Sequence, residues 1–203
     1  MSAAFERLLR TKLDAVDRIA DEARTRSDND LNPGWDNHPE VRPAAVLAPI
    51  IKRPSGWTML FTERAKETPA HPGQISFPGG RVHASDASAV ETALRETEEE
   101  VGLARRFIEP IGAWDRYDTI TGYRVTPIVG LVEPGFDLTL DPREVASVFE
   151  APLEFLMNPA NHEKREAEFR GRQRFYWAMP YQGHFIWGAT AGMIRALYER
   201  LYE

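Results

Sequence analysis

The segment from Ile75 to Leu103 constrains this chain more than any other. Ile75-Ser76-Phe77 leads into Pro78-Gly79-Gly80, and a polar loop then enters a helix predicted over 87–101. Asp86 stands where an N-cap belongs, and Gly102 where a left-handed C-terminal residue belongs. Val90, Ala93, Leu94, Thr97 and Val101 share one stripe, the face that seeks a core. With Glu96 at the origin, Glu99 falls at about −60° and Glu100 at about +40° around the helix. Three carboxylates therefore share one patch. Glu91 and Glu98 lie on the far side, as solvated charges.

Carboxylates three and four residues apart repel one another. Near a helix C-terminus the macrodipole disfavours them further. A cluster set against both rules is either a solvated acidic face or the seat of a cation. Hard oxygen ligands of this kind suit Mg²⁺ or Mn²⁺, and no EF-hand loop is present to favour calcium. The paired glycines ahead of the helix allow bare backbone to approach a metal or a phosphate.

The rest of the chain supplies the layers for such a helix to pack on. Strands are predicted at 43–51 and 57–62, joined by Pro54-Ser55-Gly56, with Pro49 better suited to an edge or a strand end. Further strands are expected at 108–115 and 123–133. The segment 151–157 is apolar and 174–187 is rich in aromatics. A last helix over 189–202 lines up Ala191, Ile194, Leu197, Tyr198 and Leu201. Strands interleaved with helices predict an α/β layered domain.

Residues 3–25 read as an amphipathic helix, with Phe5, Leu8, Leu9, Leu13, Val16 and Ile19 on one face. Turn formers from Ser27 to Gly34 end it, and 28–42 reads as an irregular connector. The expected organisation is an N-terminal helix and connector over 1–42, then one domain over 43–203. The apolar stripe has two readings: it docks on the domain, or on a second copy of the chain in a homodimer.

With 203 residues, 42% of them apolar, the chain can build one real core without staples. It has no cysteine, which excludes a disulfide framework, a thiol nucleophile and cysteine-ligated metal. The net charge of −6, with no basic stripe, argues against nucleic-acid partners. Phosphates remain accessible where cations stand between them and the carboxylates. No apolar run approaches the ~18 residues of a membrane span. Glu6, Asp14, Asp17, Asp21 and Glu22 make the first residues too acidic for a transit peptide. The expectation is a soluble, cytoplasmic protein acting on a small molecule.

Arg95-Glu96-Thr97-Glu98-Glu99-Glu100-Val101-Gly102-Leu103, set behind Gly80, resembles the Nudix hydrolase pattern G-x5-E-x7-R-E-U-x-E-E-x-G-U, where U is apolar. Thr97 takes an apolar position, Asp86 replaces the first glutamate, and the gap to Arg95 is one residue longer. These departures resemble the coenzyme A diphosphatase branch. Leu60-Phe61-Thr62-Glu63-Arg64-Ala65 and His71-Pro72-Gly73-Gln74-Ile75-Ser76-Phe77-Pro78-Gly79-Gly80 are similar to that branch's motif. So are the blocks around Glu144 and Ile186-Trp187-Gly188. The branch's Leu-Arg pair is Thr68-Pro69 here, and its first motif aspartate is His83.

The resemblance implies an α/β/α sandwich with a mixed sheet, preceded here by the N-terminal helical extension. It implies metal held by Glu96, Glu99, Glu100 and the Gly80 carbonyl, with Arg95 orienting the glutamates by ion pairing. It places a proton acceptor at Glu144, with Glu99 as the alternative base. Arg64 and Lys66 suit phosphate contacts, and His71 and Gln74 match the motif as substrate-binding residues. The implied reaction splits the diphosphate of coenzyme A or its thioesters into 3′,5′-ADP and (acyl-)4′-phosphopantetheine. The alternative substrates are ADP-ribose or a dinucleotide. A binding module that has lost catalysis is the third reading, and the intact R-E-x-x-E-E run argues against it. Phe175, Tyr176, Trp177 and Trp187 read either as core or as a surface for stacking a base.

Overall fold

The computed structural model describes residues 3–19, 24–35, 40–66, 68, 71–169 and 171–203. From the N-terminus come α1 (Ala3–Lys12), β1 (Thr25–Ser27), β2 (Arg42–Arg53), β3 (Gly56–Arg64), β4 (Ile75–Ser76), β5 (Gly79–Arg81) and α2 (Ala89–Val101). There follow β6 (Ile108–Ala113), β7 (Arg116–Asp118), β8 (Tyr123–Val132), β9 (Val145–Pro152), α3 (Leu153–Leu156), β10 (Glu163–Phe169), β11 (Arg172–Tyr181), β12 (His184–Trp187) and α4 (Gly188–Tyr202).

Among the described residues, nine strands form one mixed sheet in the order β1-β7-β8-β2-β3-β4, with β5 on β2, β6 on β8 and β9 on β3. At its centre β2 and β8 run parallel, from Arg42 beside Tyr123 to Ile51 beside Val132. Both faces of β2 are covered, which is why it reads as a continuous apolar run. Leu47 points into the layer under α2, with Leu60, Ala93, Leu94 and Ile128. Its neighbour Ala48 points into the opposite layer with Phe61, Trp114, Ile194 and Leu197, where α1 and α4 pack. The expected three-layer α/β arrangement is the one observed. β10, β11 and β12 form a separate antiparallel sheet.

Registers place several segments at one edge. β3 runs antiparallel to β2, so Arg64 at its end lies near the start of β2. β5 pairs at that start too, with Gly80 beside Ala45. Arg64 and the glycine pair thus gather at one edge.

Four expectations need correction. The helix predicted over 3–25 ends at Lys12. Asp14 instead exchanges two backbone hydrogen bonds of 2.9 Å with Ala113, and Arg200 takes the Lys12 carbonyl at 2.8 Å. Tertiary partners thus capture the backbone before a further turn forms. Val16 is exposed in a single 3₁₀ turn, and residues 20–23, with Asp21 and Glu22, lie outside the described residues. Second, the connector is not wholly irregular: β1 within it pairs parallel with β7. Third, Pro49 lies in a central strand. It is opposite Gly130 of β8, but its nitrogen, like that of Leu47, faces the other side, in the gap between the stretches of β2 paired with β5 and with β3, where no bond is required. Fourth, Ser88 rather than Asp86 caps α2, its hydroxyl accepting the Glu91 N–H at 3.2 Å. The stripe on α1 docks within the chain, where Phe5, Leu9 and Leu13 join the α4 layer. Each fully buried leucine there contributes about 1.5–3 kcal/mol.

Candidate active site

The glycine pair is shaped by the helix it precedes. Gly79 has φ of +152°, and any Cβ there would run into the Ala45 carbonyl and Val46. Its N–H donates to Glu100 Oε2 at 3.1 Å. At Gly80 the space of a Cβ is taken by the Glu96 carboxylate. One glycine thus serves Glu100 by its N–H and the other serves Glu96 by its missing side chain.

Arg95 braces the outer side of α2. Its guanidinium donates to both Asp86 oxygens at 3.0 and 2.9 Å, to Glu96 at 2.8 Å and to Glu99 at 3.1 Å. It also reaches the Arg81 carbonyl at 3.2 Å, tying the helix to β5. Asp86 further accepts from the His83 N–H at 2.9 Å and the Thr92 hydroxyl at 2.8 Å. The Arg95 hydrogen bonds hold the Asp86 carboxyl well below the usual carboxylate range. Asp86, displaced from the cap, is therefore the anchor of the arginine. Thr97 is fully buried at its apolar position because its hydroxyl bonds back to the Ala93 carbonyl at 2.7 Å.

The inner end of α2 is tied to the segment that carries Glu144. Gly102 turns left-handed at φ of +70°. Beyond it, Thr139 and Asp141 donate to the last helical carbonyls, Val101 and Glu100, both at 2.9 Å. Glu144 follows, and its own carbonyl accepts the Ala65 N–H at 2.8 Å. Glu100 itself is buried, and burial pushes its carboxyl up to about 8. The Gly79 N–H and Arg64 pull it down, while the charges of Glu144 and Glu96 push it up.

The structure thus gathers Glu96, Glu100, Glu144, Arg64, Arg95 and the Gly80 backbone. Glu99 lies farther out, exposed and held by Arg95. Gln74 stands beside Arg64, whose N–H donates to the Gln74 carbonyl at 3.0 Å. His71 sits exposed at the loop tip with φ of +55°, and Lys66 is exposed on the same loop. Thr68 is buried, while Pro69 lies outside the described residues. Phe175, Tyr176 and Trp177 are half-buried and Trp187 is exposed. Tyr176 and Trp177 line a hollow of about 200 Å³ that Gly188 and Gly192 of α4 also border. Sequence reasoning missed Thr92 as a partner of Asp86, although the two stand either side of the cap.

A NUDIX domain model matches residues 41–183. The chain belongs to the Nudix hydrolase family. It is 41% identical over 156 residues to the uncharacterized Nudix hydrolase NudL of Enterobacter sp. (strain 638), covering 77% of this chain and 81% of that one. Against NudL of Escherichia coli (strain K12) the identity is 42% over the same coverage. Among solved structures, the NUDIX domain of Shewanella oneidensis NrtR, complexed with ADP ribose, has a TM-score of 0.49 at 15% identity, over 83% of this chain and 94% of that one. This Nudix protein is an enzyme, a pyrophosphohydrolase acting on nucleoside diphosphate derivatives. Nudix hydrolases generally use divalent metal ions. No helix among the described residues is long and apolar enough to cross a membrane.

The residues of this Nudix site fit such an ion. Among the described residues no three carboxylates already converge on one point. Glu96 leans on Arg95, Glu99 faces outward and Glu100 takes the Gly79 N–H. The donors are nonetheless all hard oxygens, set on adjacent turns of one helix. The Glu96 carboxylate already lies against the Gly80 backbone, where a Cβ would displace it.

Proposed function

We propose that this Nudix hydrolase splits the diphosphate bond of coenzyme A or its thioesters, giving 3′,5′-ADP and (acyl-)4′-phosphopantetheine. One observation carries the reading. The loop that is similar to the coenzyme A diphosphatase motif closes through the Arg64–Gln74 backbone bond, and Arg64 faces the carboxylates of α2. The residues of the motif and the acids of the helix therefore serve one site.

Glu96, Glu99, Glu100 and the Gly80 carbonyl would hold Mg²⁺ or Mn²⁺. Bound there, the ion neutralises the diphosphate and lowers the pKa of water. Glu144, on the segment clasped to the end of α2, accepts the proton of the attacking water. As that oxygen joins one phosphorus, the bridging P–O bond breaks and its electrons leave on the other phosphate. Arg95 holds Glu96 and Glu99 in place and touches no substrate. Arg64, a planar donor at the inner rim, binds a phosphate oxygen. Lys66, His71 and Gln74 face the same substrate from the loop.

A substrate panel with either metal tests this. Coenzyme A, acetyl-coenzyme A, ADP-ribose and a diadenosine polyphosphate are compared by kcat/KM. The expected result is the highest value on coenzyme A or its thioester. A value on ADP-ribose about tenfold higher, or turnover of the dinucleotide alone, overturns the reading.

A further inference from the structure

Two further arginines stand at the same edge of the sheet as the glycine pair, away from the loop that carries Arg64 and Lys66. We infer that Arg42, Tyr123 and Arg81 form a second anion subsite, built for a phosphate monoester on the substrate. The inference rests on the coenzyme A reading for its substrate, and on geometry for its site.

Arg81 directly follows Gly80, and Arg42 begins β2, opposite Tyr123 in register. The group therefore stands at the catalytic edge of the sheet. Gly80 faces α2, so Arg81 projects to the opposite face, as strand alternation requires. There its Nε and one terminal nitrogen donate to the Tyr123 hydroxyl at 3.0 and 2.7 Å. The Arg42 guanidinium lies over the same ring, 4.1 Å from its centroid, and that of Arg81 lies at 5.5 Å.

Two further features point to an anion. Both cations sit about one phenol, and no carboxylate among the described residues pairs with either. Glu40, two residues before Arg42, is exposed and pairs with neither arginine; farther along the chain, Asp118 is held by Arg124 through two bonds of 2.8 Å, and Asp86 by Arg95. Like charges held together call for a counter-ion. The Tyr123 oxygen already accepts two N–H bonds, so its own O–H is left to donate. Arg42 spends one terminal nitrogen on the Thr121 carbonyl at 3.2 Å and keeps its other donors. Two guanidinium groups and a hydroxyl, all donors, suit a dianionic phosphate monoester such as a ribose 3′-phosphate.

Binding of 3′,5′-ADP and of 5′-AMP by calorimetry tests the inference without turnover. Wild type is expected to bind 3′,5′-ADP more tightly by about tenfold or more, the effect of a charge-assisted contact. In Arg42→Gln/Arg81→Gln that ratio should fall to about one, the loss falling on 3′,5′-ADP. Tyr123→Phe, which keeps the ring, should give an intermediate ratio. A melting curve checks the fold, and Arg81→Gln alone carries the test where the double variant does not fold. A wild-type ratio near one, or a ratio that survives the arginine variants, overturns the subsite. A protein that shows the expected ratios yet leaves coenzyme A intact refutes the substrate reading and keeps the subsite.

Discussion

Helices α2 and α4 lie on opposite faces of one sheet and obey different rules. α4 buries Ala191, Met193, Ile194, Leu197 and Leu201, and carries Arg200 in its last turn, where the dipole favours a cation. Thr190, its one buried hydroxyl, bonds the Ile75 carbonyl at 3.0 Å. α2 buries Thr92, Thr97 and the carboxyl of Glu100 beside its apolar residues. It has no basic residue in its last turn and crowds Glu96, Glu98, Glu99 and Glu100 toward that end. α4 is arranged for stability. α2 gives up stability at the turns that carry the proposed metal ligands. The difference teaches where to look: a helix that breaks its own electrostatic preferences is marking a site.

Four experiments would sharpen or break that contrast. The largest effect is expected from Glu100→Gln. Turnover should fall about a thousandfold, near 4 kcal/mol of barrier, while metal-free thermal stability holds or rises, because the amide is neutral where the buried carboxyl has to take up a proton. Activity within about tenfold of wild type would remove Glu100 from the metal-binding set.

Leu197→Ala on α4 should do the reverse. Denaturant unfolding should show a loss of about 3 kcal/mol from the cavity it leaves, with kcat per folded molecule within about twofold. A large fall in kcat at full folding would mean that the two helices do not divide their labour.

Added Mg²⁺ or Mn²⁺ should raise the melting temperature in proportion to about 2.7 kcal/mol at a hundredfold excess over Kd. Glu96→Gln/Glu99→Gln/Glu100→Gln should abolish that response. An undiminished response in the triple variant places the ion off α2.

The smallest effect is expected at Gly80→Ala. The new Cβ would displace the Glu96 carboxylate, the free end of a flexible side chain, so the fold should survive. kcat should fall about tenfold, or 1.4 kcal/mol. Wild-type kcat in a folded variant would show that the Glu96–Gly80 contact is idle.

Much of this was legible because it is local. The period of α2, the glycine pair and the acidic patch all lie within Ile75–Leu103, and their spacing alone places them. β10 escaped notice because Glu163–Phe169 is exposed on both faces and carries no apolar alternation. β1 and β7, three residues each, exist by pairing with one another and with β8. The overrun of α1 has the same origin, since Ala113 and Arg200 compete for its backbone from far along the chain. At the site, Asp86 looks like a cap by position, and only the fold turns it toward Arg95. Glu144 was singled out by resemblance alone, and what ties its segment to the end of α2 is a strap that no local pattern announces.

That strap acts as a ruler. Between the end of α2 and Glu144 the chain is pinned at Thr139 and Asp141, and Glu144 is pinned in turn by Ala65. The span from the acid patch to Glu144 is thus set by contour length, as a connecting rod sets the stroke of a piston. The exposed side chains of Thr139, Pro142 and Arg143 are free to drift in sequence so long as the backbone bonds persist. The number of residues is not, because a single insertion would leave every functional group present and its timing with the others lost.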